Sequence, residues 1–323
     1  MELSVVIVSW NCREELRTCL SSLASGLGSL SHEIIVVDNA SSDGTSGMVK
    51  EEFPQVRLVS NSGNSGFACA NNQGLDLAAG EYLLLLNPDT VLTPGTAEGL
   101  LEFMKVEPRA GVVGPAFSSG AGTQASIRPG IYRFPGVKDE LFLDTVLADL
   151  SAGLHRLPGL SGHAPEGAGG GPVESDWVSG ACMLVRRQAM AENGVMDPRF
   201  FLYMEELEWC YRIKRIGGWK IFILPHLSIM HSGGVSSGKK RAGEISAIYY
   251  ESRYKFFEKH WPGALVAVIR TGKVILLGIS LLWYMLEKLA APGERAEAEA
   301  KIVTCRAAIT VLLRGRKGMP EKI

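Results

Sequence analysis

Hydrophobic and polar positions over the first ninety residues fall into short apolar runs separated by stretches of helical spacing. Residues 5–9 form a β-branched run, 34–37 a second, 56–59 a third and 82–86 a fully apolar fourth. Each has the length and composition of a buried strand. Between them, residues 14–23 repeat their apolar positions at helical spacing, and NSGNSGFACANNQG at 61–74 leads into a helix that ends near Ala79. Strand, helix and strand with apolar strands predict an α/β fold with a mostly parallel central sheet flanked by helices. Ligands of such sheets collect beyond the carboxyl ends of the strands. Asn11, Asp38, Asn64 and Asp89 each fall just past such an end. Residues 151–172, including GHAPEGAGGGP, are too rich in glycine and proline to pack and predict a flexible loop. From about 236 the pattern becomes helical, and no internal repeat interrupts it.

With 323 residues the chain is long enough for one extended α/β domain and an appendage. A net charge of −1 argues against a nucleic-acid partner, because phosphate-backbone binding needs a basic surface. The six cysteines show neither paired zinc spacing nor a compact disulfide framework, so reduced thiols in a cytosol are expected. A strand beginning almost at once, without a basic n-region or a cleavable apolar helix, predicts no export signal.

Two acidic sites far apart in sequence change this picture. LLLLNPDT at 83–90 ends an apolar strand on Asp89, and DPRFFLYMEELEWCYR at 197–212 opens a helix with Glu205, Glu206 and Glu208. A carboxylate at a strand tip suits a cation bridging phosphates, and an acidic cluster arriving later suits a general base. A dinucleotide dehydrogenase would place GxGxxG after the first strand. That position reads SWNCREEL here. The same gap argues against a P-loop nucleotidase and a nucleotidyltransferase with a glycine-rich first loop, so a divalent metal on Asp89 is the alternative means of holding phosphate.

These residues resemble the inverting family 2 glycosyltransferases of GT-A fold, especially the bacterial rhamnosyltransferase-like branch. The similarity runs from Ser4 to about Trp261 and keeps the family's order: SVVIVSWN, VVDNASSDGT, NSGFACANNQG, LLLLNPDT, DWVSGACMLVRR, FFLYMEELEWCYR and HSGG. It implies a catalytic domain over 1–235, with a nucleotide-sugar half at 1–115 and an acceptor half at 173–235, followed by a helical region at 236–323. On the donor side it places Ser9, Asn11, Asp38, Asn64, Asn72 and Asp89, with Asp38 accepting from a pyrimidine imide. Asp38 in DNASSDGT also suits an Asx turn, and asparagine beside glycine a turn former. Gly66 and Gly74 would admit close backbone approach to the ligand or permit tight turns. Asp89 resembles the last member of a DxD-type motif whose first acid is Asn87 here, and His231 a completing metal ligand. The implied cofactor is Mg²⁺ or Mn²⁺, with imidazole tilting the preference to Mn²⁺. Glu206 occupies the position of the catalytic base, with Glu205 as its fallback. Trp177 and Gly180 resemble the acceptor-side wall.

Helical geometry sorts the acids further. Glu206 lies about 200° around the helix from Glu208, whose i, i+4 spacing to Arg212 predicts a surface ion pair. In the C-terminal region Tyr250, Tyr254, Phe257 and Trp261 recur at helical spacing and predict a packing stripe. Residues 264–286 are apolar but interrupted by Arg270 and Lys273, and the uninterrupted 274–286 is shorter than the roughly 20 residues that span a bilayer. An interfacial helix with a basic end (Lys301, Arg306, Arg314, Arg316, Lys317, Lys322) or a packed helix pair, serving as a homodimer interface, both fit. Together these features imply an inverting transferase at the inner face of the cytoplasmic membrane. It would carry rhamnose from dTDP-rhamnose to a glycan or lipid-linked acceptor in cell-wall or surface-polysaccharide synthesis. A UDP- or GDP-sugar donor, or a catalytically silent nucleotide-sugar or glycan binder, are the other readings.

Overall fold

The first apolar run is strand β1 (Leu3–Ser9), buried at every position. In this computed structural model, which describes residues 1–119, 126–128, 132–149, 171–231, 242–290 and 295–314, β1 lies between β2 (His32–Asp38) and β4 (Tyr82–Leu86) and runs parallel to both. β3 (Arg57–Ser60) extends β2 in the same sense. Burial on both faces explains why β1 and β4 read as continuous apolar runs rather than alternating ones. The later strands are β5 (Thr90–Val91), β6 (Ala110–Ser119), β7 (Ser126–Arg128), β8 (Val173–Glu174), β9 (Cys182–Arg186) and β10 (Lys220–His231). The sheet order is β3-β2-β1-β4-β9-β6-β10-β5, with β7 on β6 and β8 on β10. β9 enters antiparallel to both β4 and β6, while β6 and β10 are parallel to each other. The mostly parallel expectation therefore holds for the central strands, with the antiparallel pairings made by β9 and by the short strands β5, β7 and β8.

The helices, in chain order, are α1 (Arg13–Gly26), α2 (Thr45–Glu52), α3 (Phe67–Leu77), α4 (Thr96–Val106), α5 (Val137–Phe142), α6 (Arg187–Asn193), α7 (Glu205–Tyr211), α8 (Ala242–His260), α9 (Gly263–Ala290) and α10 (Arg295–Arg314). Alternation along β1 assigns them to faces: Leu3, Val5 and Ile7 pack with Leu16 and Leu23 of α1, Met48 of α2 and Leu100 of α4. Val6 and Val8 face the other way, against Ala68 and Leu75 of α3, Ala189 of α6 and Trp209 of α7. Each such aliphatic side chain contributes roughly 1.5–3 kcal/mol on burial. Gly74 belongs to this packing, because a Cβ there would lie 2.3 Å from Val6 Cγ1. It permits helix-to-strand contact rather than the ligand approach or tight turn that the sequence suggests.

The chain divides into two compact units. One holds the sheet and its flanking helices, and the other comprises 135–161, 202–204 and 237–323, so the helical unit also takes two segments from within 1–235. Within that second unit Tyr250, Tyr254 and Phe257 are buried, with Trp261 stacked 4.2 Å from Phe257. Arg253 of α8 pairs with the buried Glu140 of α5. Arg270 and Lys273 do not interrupt α9, which runs unbroken for 28 residues. Lys273 is fully buried and donates to the Leu143 carbonyl, and Arg270 donates to the Leu312 carbonyl and pairs with Glu258. Among the described residues α9 is long and apolar enough to cross a membrane by length and composition. The 151–172 loop, apart from its last two residues, and Ser232, Gly233, Gly234, Arg316, Lys317 and Lys322 lie outside the described residues.

Candidate active site

Parallel register brings the ends of three strands level: Ser9 is opposite Asp38, and Asp38 opposite Ser60. Asp38 is buried and accepts from the Ser41 backbone N–H at 3.1 Å and from the Ser46 hydroxyl. Asn11, at a left-handed φ of 53°, accepts from the Ser42 N–H at 2.7 Å, while its own N–H donates to Ser41 Oγ at 2.8 Å. Both side chains thus shape the turn after β2, the Asx-type role that the DNASSD run also suits. Ser9 is fully buried and bonded to Cys12 Sγ at 3.2 Å.

Asn39, which sequence reasoning passed over, organises the next layer. Its amide donates to Asn64 Oδ1 at 2.8 Å, and its carbonyl oxygen accepts from the Ser65 N–H at 3.0 Å and from Asn61 Nδ2 at 3.1 Å. Asn64 Oδ1 also accepts from the Gly66 N–H at 3.0 Å. Gly66 sits at φ 85°, and a Cβ there would meet the Phe201 carbonyl oxygen at 2.6 Å, so only glycine lets this loop close on the segment before α7. The Phe67 N–H donates to that same oxygen at 2.7 Å. Asn72 completes the clamp, with its amide group donating to the Met196 carbonyl at 2.8 Å and accepting from the Met196 N–H at 3.1 Å. Asn72 therefore ties α3 to the approach of the acidic helix.

At the end of β4, the Asn87 N–H donates to the Ala181 carbonyl at 3.0 Å and Thr90 Oγ1 donates to the Asn87 carbonyl at 2.6 Å, which fixes the NPDT turn. Pairing of His231 with Thr90 across β10 and β5 brings His231 Nε2 within 3.2 Å of Asp89 Oδ1. Asn87 Oδ1 is buried without a hydrogen-bond partner. One carboxylate, one imidazole and one orphaned amide oxygen fit a divalent cation whose other ligands come from diphosphate and water. Among the described residues there is no cluster of three or more His, Cys, Asp or Glu side chains that could hold an ion alone.

The three glutamates of α7 separate as the helical angles require. Glu208 is fully buried and bonded through both oxygens to Arg212 Nε at 3.0 Å, so the pair is a buried one and not the expected surface pair. Arg212 also donates to the Asn193 and Val195 carbonyls, anchoring the helix behind the site. Glu205 is buried, and burial followed by the neighbouring Glu206 charge raises its pKa well above the ordinary 4.5. Glu206 keeps partial exposure, yet the protein around it raises its pKa too, opposed by backbone N–H groups including those of Gly180 and Leu207. Each carboxyl keeps one buried oxygen without a partner. Two adjacent desolvated acids cannot both ionise cheaply. Glu205 is the more strongly raised of the two, and the backbone donors around Glu206 favour its charged form. Tyr203 and Met204, both at φ 68°, introduce this helix through a left-handed bend that costs roughly 1–2 kcal/mol per residue.

The site has an aromatic wall. A Cβ on Gly180 would lie 3.7 Å from Glu206 Cβ and 3.5 Å from Phe67 Cε1. Trp177 stacks at 4.3 Å on Tyr132, a bridge partner of the same residue, and donates from Nε1 to the Arg133 carbonyl at 3.2 Å. Burial and the Glu206 charge push the Tyr132 phenol up. Glu206, Gly180, Trp177 and Tyr132 thus form one neighbourhood. Tyr132 carried no sequence signal beyond being an aromatic residue between turns.

Comparison with known proteins agrees with this arrangement. The profile described as Glycosyl transferase family 2 matches residues 4–154. A Mycobacterium tuberculosis protein, N-acetylglucosaminyl-diphospho-decaprenol L-rhamnosyltransferase, is 29% identical over 283 residues, covering 83% of this chain and 88% of its own. Over residues 4–154 the chain matches glycosyltransferase family 2. A second relative, the low-salt glycan biosynthesis hexosyltransferase Agl10 of Haloferax volcanii, is 26% identical over 66% of the chain and 62% of its own length. Among solved structures, the Pyrobaculum calidifontis mannosyltransferase PcManGT in complex with GDP-Man and Mn²⁺ superimposes with a TM-score of 0.57 at 15% identity, covering 98% of this chain and 88% of that one. GalNAc-T7 with UDP, GalNAc and Mn²⁺ gives 0.58 at 16%, covering 100% and 59%. At these identities the structural likeness establishes the GT-A fold, and the enzyme is a glycosyltransferase.

Proposed function

We propose that this enzyme moves L-rhamnose with inversion from dTDP-rhamnose to a lipid-linked N-acetylglucosaminyl diphosphate acceptor, at the cytoplasmic face of the membrane, in cell-wall or surface-polysaccharide assembly. The observation that carries the chemistry is the Glu205–Glu206 pair, two desolvated carboxyls with raised pKa values, beside Gly180 and the Trp177–Tyr132 wall; in this reading Glu206 carries the charge and Glu205 the proton. The mycobacterial relative supports the sugar and the acceptor class.

The acceptor hydroxyl oxygen bonds to the anomeric carbon as the bond from that carbon to the diphosphate oxygen breaks, and its proton passes to Glu206. A well-placed general base contributes roughly 10²–10⁴ in rate. Protonated Glu205 keeps a second negative charge away from the reacting centre. Trp177 offers a flat apolar face to a sugar ring. Asp89, His231 and Asn87 Oδ1 would hold Mg²⁺ or, favoured by the imidazole, Mn²⁺, which when bound neutralises charge on the departing diphosphate. On the donor side, Asp38 and Asn11 present the turn at 39–43 to the base. Asn39, Asn64 and Gly66 shape the loop that follows β3, while Ser9 and Asn72 support it from beneath and behind.

The full chain tested against dTDP-rhamnose, UDP-sugars and GDP-sugars with Mn²⁺, by thermal shift and then by turnover, checks this. We expect dTDP-rhamnose to raise the melting temperature and to be consumed. Asp89→Ala should lose the Mn²⁺-dependent part of the shift, with His231→Ala weakening it less. Turnover of a UDP- or GDP-sugar instead would replace the donor, and binding without turnover of any would leave a silent binder.

A further inference from the structure

The helical unit presents one surface that the transfer chemistry does not use. Val268, Ile275, Ile279, Leu282, Leu286 and Leu289 are spaced three, four or seven residues apart along α9 and are between 52% and 76% exposed, so they form one face about 30 Å long at 1.5 Å per residue. The charged residues of α9, Arg270, Lys273, Glu287 and Lys288, fall off this face at 100° per residue. Arg270 and Lys273 turn inward to their carbonyl and carboxylate partners, and Lys288 pairs with Glu299. A continuous apolar surface of this size on a water-facing helix needs a partner.

We infer that this face of α9 lies in the plane of a lipid leaflet, sunk into the boundary between headgroups and acyl chains, and does not cross the bilayer. Crossing is ruled against by the neighbour: α10 packs along α9 and exposes Arg295, Glu297, Glu299, Arg306 and Arg314, charges that a spanning pair would carry into hydrocarbon. Only one side of α9 is apolar and open, which is the geometry of a monotopic helix. Beyond Glu299 the charged residues of α10 are Lys301, Arg306 and Arg314, all basic, with both arginines exposed. A basic margin beside an apolar face complements anionic headgroups, whereas a second copy would bring one basic margin against another. The inference deepens the proposed membrane setting and rests on it only for the choice of leaflet. Its test uses no sugar, as the donor screen uses no lipid, so the two fail separately.

Full-length protein is floated with vesicles of phosphatidylcholine alone and of phosphatidylcholine with phosphatidylglycerol. We expect flotation with the anionic vesicles, weakened by salt, and at least a tenfold smaller floated fraction for Ile279→Asp/Leu286→Asp at unchanged circular dichroism. Trp283, 49% exposed on the same helix, supplies a readout in the otherwise unaltered chain. The fluorescence lost in Trp283→Phe should be quenched more by lipids brominated near the headgroup than by those brominated near the chain ends. This decides the matter if the double variant unfolds. Absence of flotation by the wild type, flotation of the folded double variant, or stronger quenching from the chain ends overturns the inference. A dimer that the double variant converts to monomer, without flotation of either, assigns the face to a second copy and overturns it equally.

Discussion

Glu205 and Glu206 are neighbours in sequence but lie about 100° apart around the helix, and that angle gives them different work. Because burial raises the pKa of Glu206, the acid limb of kcat/KM should lie above the ordinary carboxylate value of 4.5, with activity falling as the base becomes protonated. Glu206→Gln should lower turnover by at least about 10² and abolish that limb while donor binding persists. Glu205→Gln, which imitates the protonated acid, should keep both turnover and limb. A pH profile of the two variants separates the roles, and loss of the limb in Glu205→Gln would move the base to Glu205. The placements of Asp89 just past β4 and of Glu206 in the first turn of α7 were legible in sequence because each element's pattern is unmistakable. Asn39 was not, since its side-chain partners Asn61, Asn64, Ser65 and Gly66 lie 22 to 27 residues away and an asparagine after Asp38 reads as a turn. Spacing likewise named Arg212 as the partner of Glu208 but said nothing of depth. Depth is set by the Asn193 and Val195 carbonyls, 19 and 17 residues back.

At the scale of elements, the strands and helices of the first half were readable because apolar runs and helical periods report burial directly. The antiparallel insertion of β9 was not, because strand direction is fixed by the connection and leaves no trace in the strand itself. The two charges in α9 misled for a related reason: a lysine inside an apolar stretch reads as an interruption unless its partners are known. Lys273 is held inside by the Leu143 carbonyl, and burial pushes its pKa down from 10.5 to about 8, against the opposing pull of Glu140 and Asp144. The folded pKa is the lower one, so the unfolded chain binds more protons between these values, and stability rises with pH across that interval. The contribution is lost as pH falls through about 8. The difference corresponds to about 3 kcal/mol. Denaturant melts of the helical unit should show this rise between pH 8 and 10.5, and Lys273→Met should flatten it. An unchanged slope in Lys273→Met would place the titration elsewhere.

For the molecule as a whole, the order of seven short motifs made the family and the fold legible, because a GT-A sheet fixes which strand end each motif occupies. Donor and acceptor were less so, since pocket shape decides them and the same fold serves many sugars. The lipid-linked acceptor and the apolar face of α9 converge on one kinetic expectation. A chain held at the vesicle surface meets an embedded acceptor at a high effective concentration, and tethering of this kind supplies 10² or more. Ile279→Asp/Leu286→Asp should therefore raise the apparent KM for a vesicle-embedded acceptor on the order of 10²-fold. kcat should stay as it is, and turnover of a water-soluble acceptor analogue should be unaffected, because neither residue belongs to the site around Glu206. Raised salt should shift the wild type in the same direction, since screening weakens the attraction of the basic margin, about 1 kcal/mol per residue, beyond a Debye length. Steady-state kinetics with both acceptors, at low and high salt, checks this. Equal loss on both acceptors would show that the substitutions damage catalysis itself, and an unchanged KM on vesicles would show that surface docking does not limit access to the acceptor.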